Sequence, residues 1–285
     1  MKIDFIITWV DGDDPEWLNE KKQYTPSSKD DSSNQRYKDW NLLRYWFRAV
    51  ENYAPWVNKI HFVTYGHLPK WLNLKHPQLN IVNHRDFIPP EYLPTFNSHT
   101  IELNLHRIHG LEEHFVYFND DTFLNTKVSP KNFFKNGLPV DRLGFDILCP
   151  SINQISDITY NTNKIISKYI NKKDYIKNFF GKVFRPSYGT PFFKTLLTLP
   201  YSWFSGFYNP HLPISFKKEY FIDLWKKEYT ILNATCKNKF RSSNDVSPWL
   251  IRYYYLIKGD FCPTTYKQGL LFEISNDNSK LKKHF

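Results

Sequence analysis

Asn119-Asp120-Asp121 closes a run of apolar and aromatic residues, His114 to Phe118. Such a run predicts a buried strand. A strand that ends in adjacent carboxylates puts fixed negative charge at one edge of a sheet. In open α/β sheets, ligands bind in the crevice at the carboxyl edge. Oxygen ligands at such a place suit Mg²⁺ or Mn²⁺, which in turn hold diphosphates. The competing reading is a solvated turn, because Asn and Asp are common turn residues.

Four other segments carry chemistry. His99, Glu102, His106 and His109 recur at spacings of three, four and three, which makes one polar helix face. The zinc order H-E-x-x-H is absent, so a solvated or substrate-facing stripe is the better reading. Arg107 lies beside it, within reach of a phosphate. Ser32 to Asp39, with Arg36 and Lys38, mixes cations and polar donors ahead of a helix, an anion cradle or an ordinary lead-in. Pro210-His211-Leu212-Pro213 sets a histidine between prolines, which stiffen the backbone and can fix the ring's direction. Arg241 and Asp245 put a guanidinium near a carboxylate; a surface ion pair of little energetic weight is the bland alternative.

These residues need a scaffold. Ile3 to Val10 reads as a first buried strand, with Asp11-Gly12-Asp13-Asp14 as the loop after it. Trp17 to Gln35 reads as polar and irregular. Asn41 to Tyr53 repeats apolar residues at helical spacing (Leu42, Trp46, Val50, Tyr53). Further strands are predicted at Lys59–Tyr65 and Asn80–His84, and a helix capped by Ser98 runs to His109. Strand alternating with helix argues an α/β core with a mostly parallel sheet over residues 1–150. Residues 151–200 read as a variable helical insertion. Residues 201–285 carry further helices, at Glu219–Tyr229 and Ser247–Ile257. No repeat or low-complexity linker interrupts the chain, so one integrated domain is expected.

Lys and Arg total 38 against 28 Asp and Glu, a formal charge of +10 in 285 residues. That predicts an anionic partner: phosphorylated substrate, an acidic membrane face or nucleic acid. No nucleic-acid recognition motif backs the last. The cysteines, Cys149, Cys236 and Cys262, form no C-x-x-C pair and read as reduced thiols, as in the cytoplasm. The apolar N-terminus is a strand rather than a signal peptide, and no run is long enough to span a membrane. Any membrane contact is therefore expected to be peripheral, at the inner face.

Ile3-Asp4-Phe5-Ile6-Ile7-Thr8-Trp9-Val10-Asp11-Gly12 resembles the first signature of the Stealth family. The block from Arg36 to Leu124 looks like its second. It carries Tyr53-Ala54-Pro55-Trp56-Val57, Leu93-Pro94-Thr95-Phe96-Asn97-Ser98, Ile101-Glu102, His106-Arg107-Ile108 and Phe118-Asn119-Asp120-Asp121. The His211 and Arg241–Asp245 segments fall where the third and fourth regions should, in order. Trp40 and Leu42-Leu43 depart from the more polar residues expected at the second-region helix.

The resemblance implies a Rossmann-like or GT-A-like core that binds a nucleotide sugar, usually a UDP-sugar, with Mg²⁺ or Mn²⁺. It implies hexose-1-phosphate transfer to a sugar hydroxyl of a capsular or cell-surface polysaccharide or a lipid-linked oligosaccharide, with UMP leaving. On that footing Asp120 and Asp121 hold the metal and Asp245 adds a ligand. Arg241 neutralises the transferred phosphoryl group, with Arg36 and Arg107 as secondary candidates. His211 or Asp11 takes the acceptor proton, and Asp4 makes structural hydrogen bonds that shape the site. Asn97, Ser98, Glu102 and Asn119 fall among the substrate-binding positions. The same core and Asp pair would also serve a glycosyltransferase that attacks the sugar carbon and releases UDP.

Overall fold

The computed structural model describes residues 1–25, 37–149, 151 and 154–271. Its centre is a five-stranded sheet of β1 (Ile3–Thr8), β2 (Ile60–Thr64), β3 (Leu79–Asn83), β4 (His114–Phe118) and β7 (Ile214–Lys217), in the order β3-β2-β1-β4-β7. The first four are mutually parallel and β7 runs antiparallel to β4. The fold is thus α/β with a mostly parallel sheet. A second, three-stranded sheet joins β5 (Phe134–Lys135), β6 (Leu138–Asp141) and β8 (Cys262–Pro263).

Both faces of the central sheet are covered. Phe5, Ile7, Phe62, Val116 and Phe118 point to one side, where α2 (Leu43–Tyr53) packs Leu43, Trp46 and Val50. Ile6, Val63, Phe115, Tyr117 and Phe216 point to the other. There they meet α3 (Ser98–Leu103), α8 (Lys218–Lys227), α9 (Tyr229–Lys237) and α10 (Trp249–Ile257). Period-2 alternation between two apolar layers explains why the strands read as continuous hydrophobic runs. The segment read as a helical insertion contains α4 (Gln154–Ile166), α5 (Lys172–Asn178), α6 (Phe180–Val183) and α7 (Thr190–Thr198).

Several expectations need correction. Trp17 is not in an irregular stretch: α1 (Pro15–Tyr24) begins there, with Asp14 accepting from Trp17 N–H and Pro15 at its first position. The helix from Ser98 does not reach His109. Its α turn stops at Leu103, and a 3₁₀ turn, Leu105–Arg107, follows. Asn104 ends it, spending its side-chain amide on the Thr100 carbonyl at 2.8 Å. The periodicity therefore breaks, and the polar stripe splits. His106 stacks on Phe221 and Arg107 lies over the Trp225 ring, so neither shares a face with Glu102.

Asp4 sits near the amino end of β1, fully buried. It accepts from Asn58 Nδ2, the Lys59 and Glu112 N–H groups and the His61 ring at 3.0 Å. Hydrogen bonding is as expected, but it ties strand starts together at the end of the sheet opposite Asp120, so Asp4 does not touch the site. Burial alone would raise its carboxyl; the bonds from His61, Asn58 and Glu112 outweigh it and hold the group below its ordinary value. A depressed carboxyl contributes stability above the unfolded-state value, about 3.9, that is lost as pH falls through the lower folded one. Asp4→Asn should therefore destabilise by about 3–5 kcal/mol at neutral pH, and the gap to wild type should narrow as pH falls below the ordinary carboxylate range. Urea titrations across that range check this; a gap independent of pH would refute it.

Candidate active site

In a sheet ordered β3-β2-β1-β4, the chain crosses from β1 to one side and returns to the other at β4. The crevice at the carboxyl ends of β1 and β4 is the topological switch point. The register Ile7↔Phe118 brings those two ends level. Asp11 and Gly12 leave one strand there, and Asn119 to Thr122 leave the other. Gly12 is required by close approach: a Cβ would lie 2.0 Å from the Tyr37 carbonyl oxygen.

Asn119 to Thr122 is a tight turn, closed by Thr122 N–H and its hydroxyl on the Asn119 carbonyl. It is both the turn and the acidic edge that the residue types allowed. Asp120 and Asp121 stand at its two central positions. Because β7 is antiparallel to β4, the segment before it arrives at the same edge. His211 Nε2 comes to 3.2 Å from Asp121 Oδ2. His211 adopts φ +45°, left-handed backbone that a non-glycine residue seldom takes, and its N–H is held by Asn209 Oδ1 at 3.0 Å. Beneath it Arg252, fully buried, pairs with Asp141 through two bonds of 2.7 and 2.8 Å and donates to the Tyr208 carbonyl. The loop carrying His211 is thus anchored from the core.

The electrostatics follow from this crowding. The Asp120 carboxyl is pushed up to about 6, by burial in the crevice first and then by Asp121, Asp39 and Glu102. Its side chain still meets solvent, so the like charge of Asp121 is the firmer cause. The hydrogen bond from His211 holds Asp121 below its ordinary value, and the same bond raises His211. A carboxylate only accepts. Neutral His211 therefore carries its proton on Nε2, and Nδ1 is left as the basic nitrogen.

The α3 N-terminus forms the next wall. Asn97 caps it, accepting from His99 N–H, and passes its amide to Asp245 Oδ2 at 2.8 Å. Ser98 Oγ takes a 2.5 Å bond from Arg241 Nη2. Glu102, one turn on, accepts from Tyr117 OH at 2.9 Å, and that phenol also meets Thr8 Oγ1. Ser98 and Glu102 share one helix face, so Arg241 and the β4 edge flank the same wall.

Asp245 is not with the Asp pair. It is fully buried and its oxygens are occupied by Asn97, Asn238 and the Ser242 N–H, with His99 at 3.7 Å. It positions the Arg241 loop and is no open ligand. Arg107 faces α8 and Arg36 lies outside the described residues. Asp11 lines a different wall: its N–H donates to His67 Nε2 at 2.8 Å, on the β1–β2 side, whereas His211 stands on the β4–β7 side.

Beside Asp11 lies a cavity of about 340 Å³, lined by Trp9, Asp39, Arg44, His67, Lys70 and Trp71 among others. The sequence reading missed this group. Gly66-His67-Leu68-Pro69, directly after β2 at the same sheet edge, was the available signal. Burial holds the His67 ring below its ordinary value, against the pull of Asp14 and Asp11.

No cluster of three or more ligating side chains is assembled among the described residues. Mg²⁺ commonly takes one or two carboxylates and fills its remaining positions with water and substrate phosphate. Asp120 and Asp121, adjacent and mutually repelling, fit that pattern.

An open α/β sheet with an acidic turn and an anchored histidine at its switch point places the chain in the class of α/β enzymes with a mostly parallel sheet. Within that class the chain belongs to the Stealth family of transferases. Residues 1–29 match Stealth protein conserved region 1, and residues 36–140 match conserved region 2. Over 279 residues it is 46% identical to a capsular polysaccharide phosphotransferase, WcwK, of Streptococcus pneumoniae, covering 97% of this chain and 83% of that one. It is 39% identical to the exopolysaccharide phosphotransferase cps2G of Lactiplantibacillus plantarum, over 96% of this chain and 83% of the other. The receptor polysaccharide phosphotransferase WefC of Streptococcus oralis is 37% identical, over 96% and 84%.

Proposed function

We propose that this chain transfers sugar 1-phosphate from a nucleotide sugar, a UDP-sugar, to a hydroxyl of a growing capsular or cell-surface polysaccharide or a lipid-linked oligosaccharide. The observation that carries the reading is the His211–Asp121 contact at the switch point, in a chain related to polysaccharide phosphotransferases. The acceptor oxygen would attack the sugar-bound phosphorus. The bond from that phosphorus to the oxygen bridging to the nucleotide would break, and UMP would leave. The result is a phosphodiester.

Phosphoryl transfer asks for positioning and charge neutralisation more than covalent chemistry. His211 Nδ1 would take the acceptor proton, and the Asp121 contact orients the ring for it. Arg241, steered by Ser98, would neutralise the equatorial phosphoryl oxygens with its planar fork. Asp120 and Asp121 would hold Mg²⁺ or Mn²⁺, which when bound supplies countercharge to the diphosphate. The cavity lined by Trp9 and Trp71 has the size of a nucleoside site, with aromatic walls for a base and Asp39 for sugar hydroxyls. A basic chain acting on lipid-linked acceptors would also meet anionic membrane; no helix among the described residues is long and apolar enough to cross one.

A UDP-sugar labelled with ³²P at the β position tests the reaction. Label in the polymer, with UMP released, is expected. Label left in UDP, with an unphosphorylated glycosidic product, would overturn phosphotransfer and make the chain a glycosyltransferase.

A further inference from the structure

The helical segment before His211 exposes an apolar ridge. Phe193, Leu196 and Leu197 lie on α7, and Leu199, Tyr201 and Trp203 follow directly; Leu197 is 71% exposed and Trp203 86%. A hydrophobic cluster of this kind is costly in water and marks a contact surface. The ridge is built to stand out. Thr195 turns inward to the Phe145 N–H, Pro191 packs on Gly144, and buried Lys172 ties the end of the helix and the chain after it through the Thr198 and Tyr201 carbonyls.

Charge says what the ridge meets. Residues 151–203 hold eight Lys and Arg against two Asp; Lys168 and Lys194 pair with Glu228 and Asp146 from outside that stretch, which leaves a net +4. Lys173 and Lys177 are exposed on α5, whose first residue holds the end of the ridge. Two copies docking through this face would bring like charge together. A nucleic acid would find phosphate partners but no use for exposed leucines. Leu and Phe beside Trp, Tyr and Lys is the composition of the bilayer interface.

We infer that the ridge Phe193–Trp203 docks this protein on anionic lipid bilayers. The ridge is continuous with the catalytic loop: Lys194 lies over the Tyr208 ring, and Tyr208 is three residues from His211. Docking would turn the crevice toward an acceptor held at the membrane, a consequence that rests on the function proposed above, whereas the docking itself does not.

The test is co-sedimentation of the full chain with vesicles of phosphatidylcholine alone and of phosphatidylcholine with phosphatidylglycerol. Wild type should prefer the anionic vesicles, and added salt should weaken that preference. Leu197→Ser combined with Trp203→Ser should bind them about tenfold or more weakly, with an unchanged melting temperature and unchanged turnover on a soluble acceptor fragment. Lys173→Ala with Lys177→Ala should lose most of the preference for anionic over neutral vesicles. Equal partition of the double apolar variant and wild type would overturn the inference. So would a wild-type dimer in sedimentation velocity that the same variant converts to monomer, which would make the ridge a subunit interface. Absence of sugar-phosphate product with soluble acceptor would sink the proposed function and leave the vesicle result standing.

Discussion

Asp121→Ala should reduce turnover by roughly 10³-fold or more, with the fold intact, because it would remove a ligand of the proposed metal and release His211, the proposed base, from its 3.2 Å partner. Asp120→Ala should cost a comparable amount through countercharge alone. Both residues are solvent-exposed in a surface turn, so neither supports the core. A chelator should mimic the Asp120 variant and restore nothing to it. The two roles of Asp121 separate in a double-mutant cycle with His211→Ala. If Asp121 acted only through the imidazole, its loss in a His211→Ala background would cost almost nothing further. If it also holds metal, a large second loss remains. Full activity of chelated wild type would refute the metal role, and near-complete non-additivity would confine Asp121 to orienting His211.

The Asp pair was legible because its strand is. An apolar run ending in Asn-Asp-Asp leaves little freedom about where the carboxylates go once the strands are parallel. His211 was harder. The prolines suggested a fixed ring, but its partner lies 90 residues away, and only antiparallel pairing of β7 with β4 delivers it. β7 is four residues long, too short for alternation to announce it. The α3 stripe failed for a local reason: one asparagine satisfied by the helix it ends changed the angular period, and with it the fates of His106 and Arg107. The missed α1 is the opposite case. Asp14-Pro15-Glu16 is a capping sequence, and its polar composition masked it. Asp245 shows a different limit. Nothing local distinguishes a carboxylate that binds metal from one whose lone pairs are spent on Asn97, Asn238 and a backbone amide. The cavity beside Asp11 draws on the loops after β1 and β2 and the lead-in to α2, so it exists only once the sheet is assembled.

Arg241→Lys should lose about 10²–10³-fold in kcat even though charge is kept. The guanidinium is planar and presents parallel donors that match two phosphoryl oxygens at once, whereas an ammonium is a point charge on a flexible stem. The structure adds a reason specific to this chain. Arg241 Nη2 is steered by Ser98 Oγ at the α3 N-terminus, and Ser98 is set by Asn97, whose amide is clamped by buried Asp245. A lysine would keep the charge without that steering. Ser98→Ala, which leaves the fork but removes the Ser98 bond, should therefore fall between wild type and Arg241→Lys, lowering kcat more than it raises KM. Asp245→Asn should loosen the Arg241 loop and lower thermal stability as well, separating a positioning residue from one that touches phosphate. Single-turnover rates with saturating donor, beside melting temperatures, measure all three. If Arg241→Lys turns over like wild type, the side chain acts as a diffuse charge, and the fork assigned to the transferred phosphoryl group is wrong.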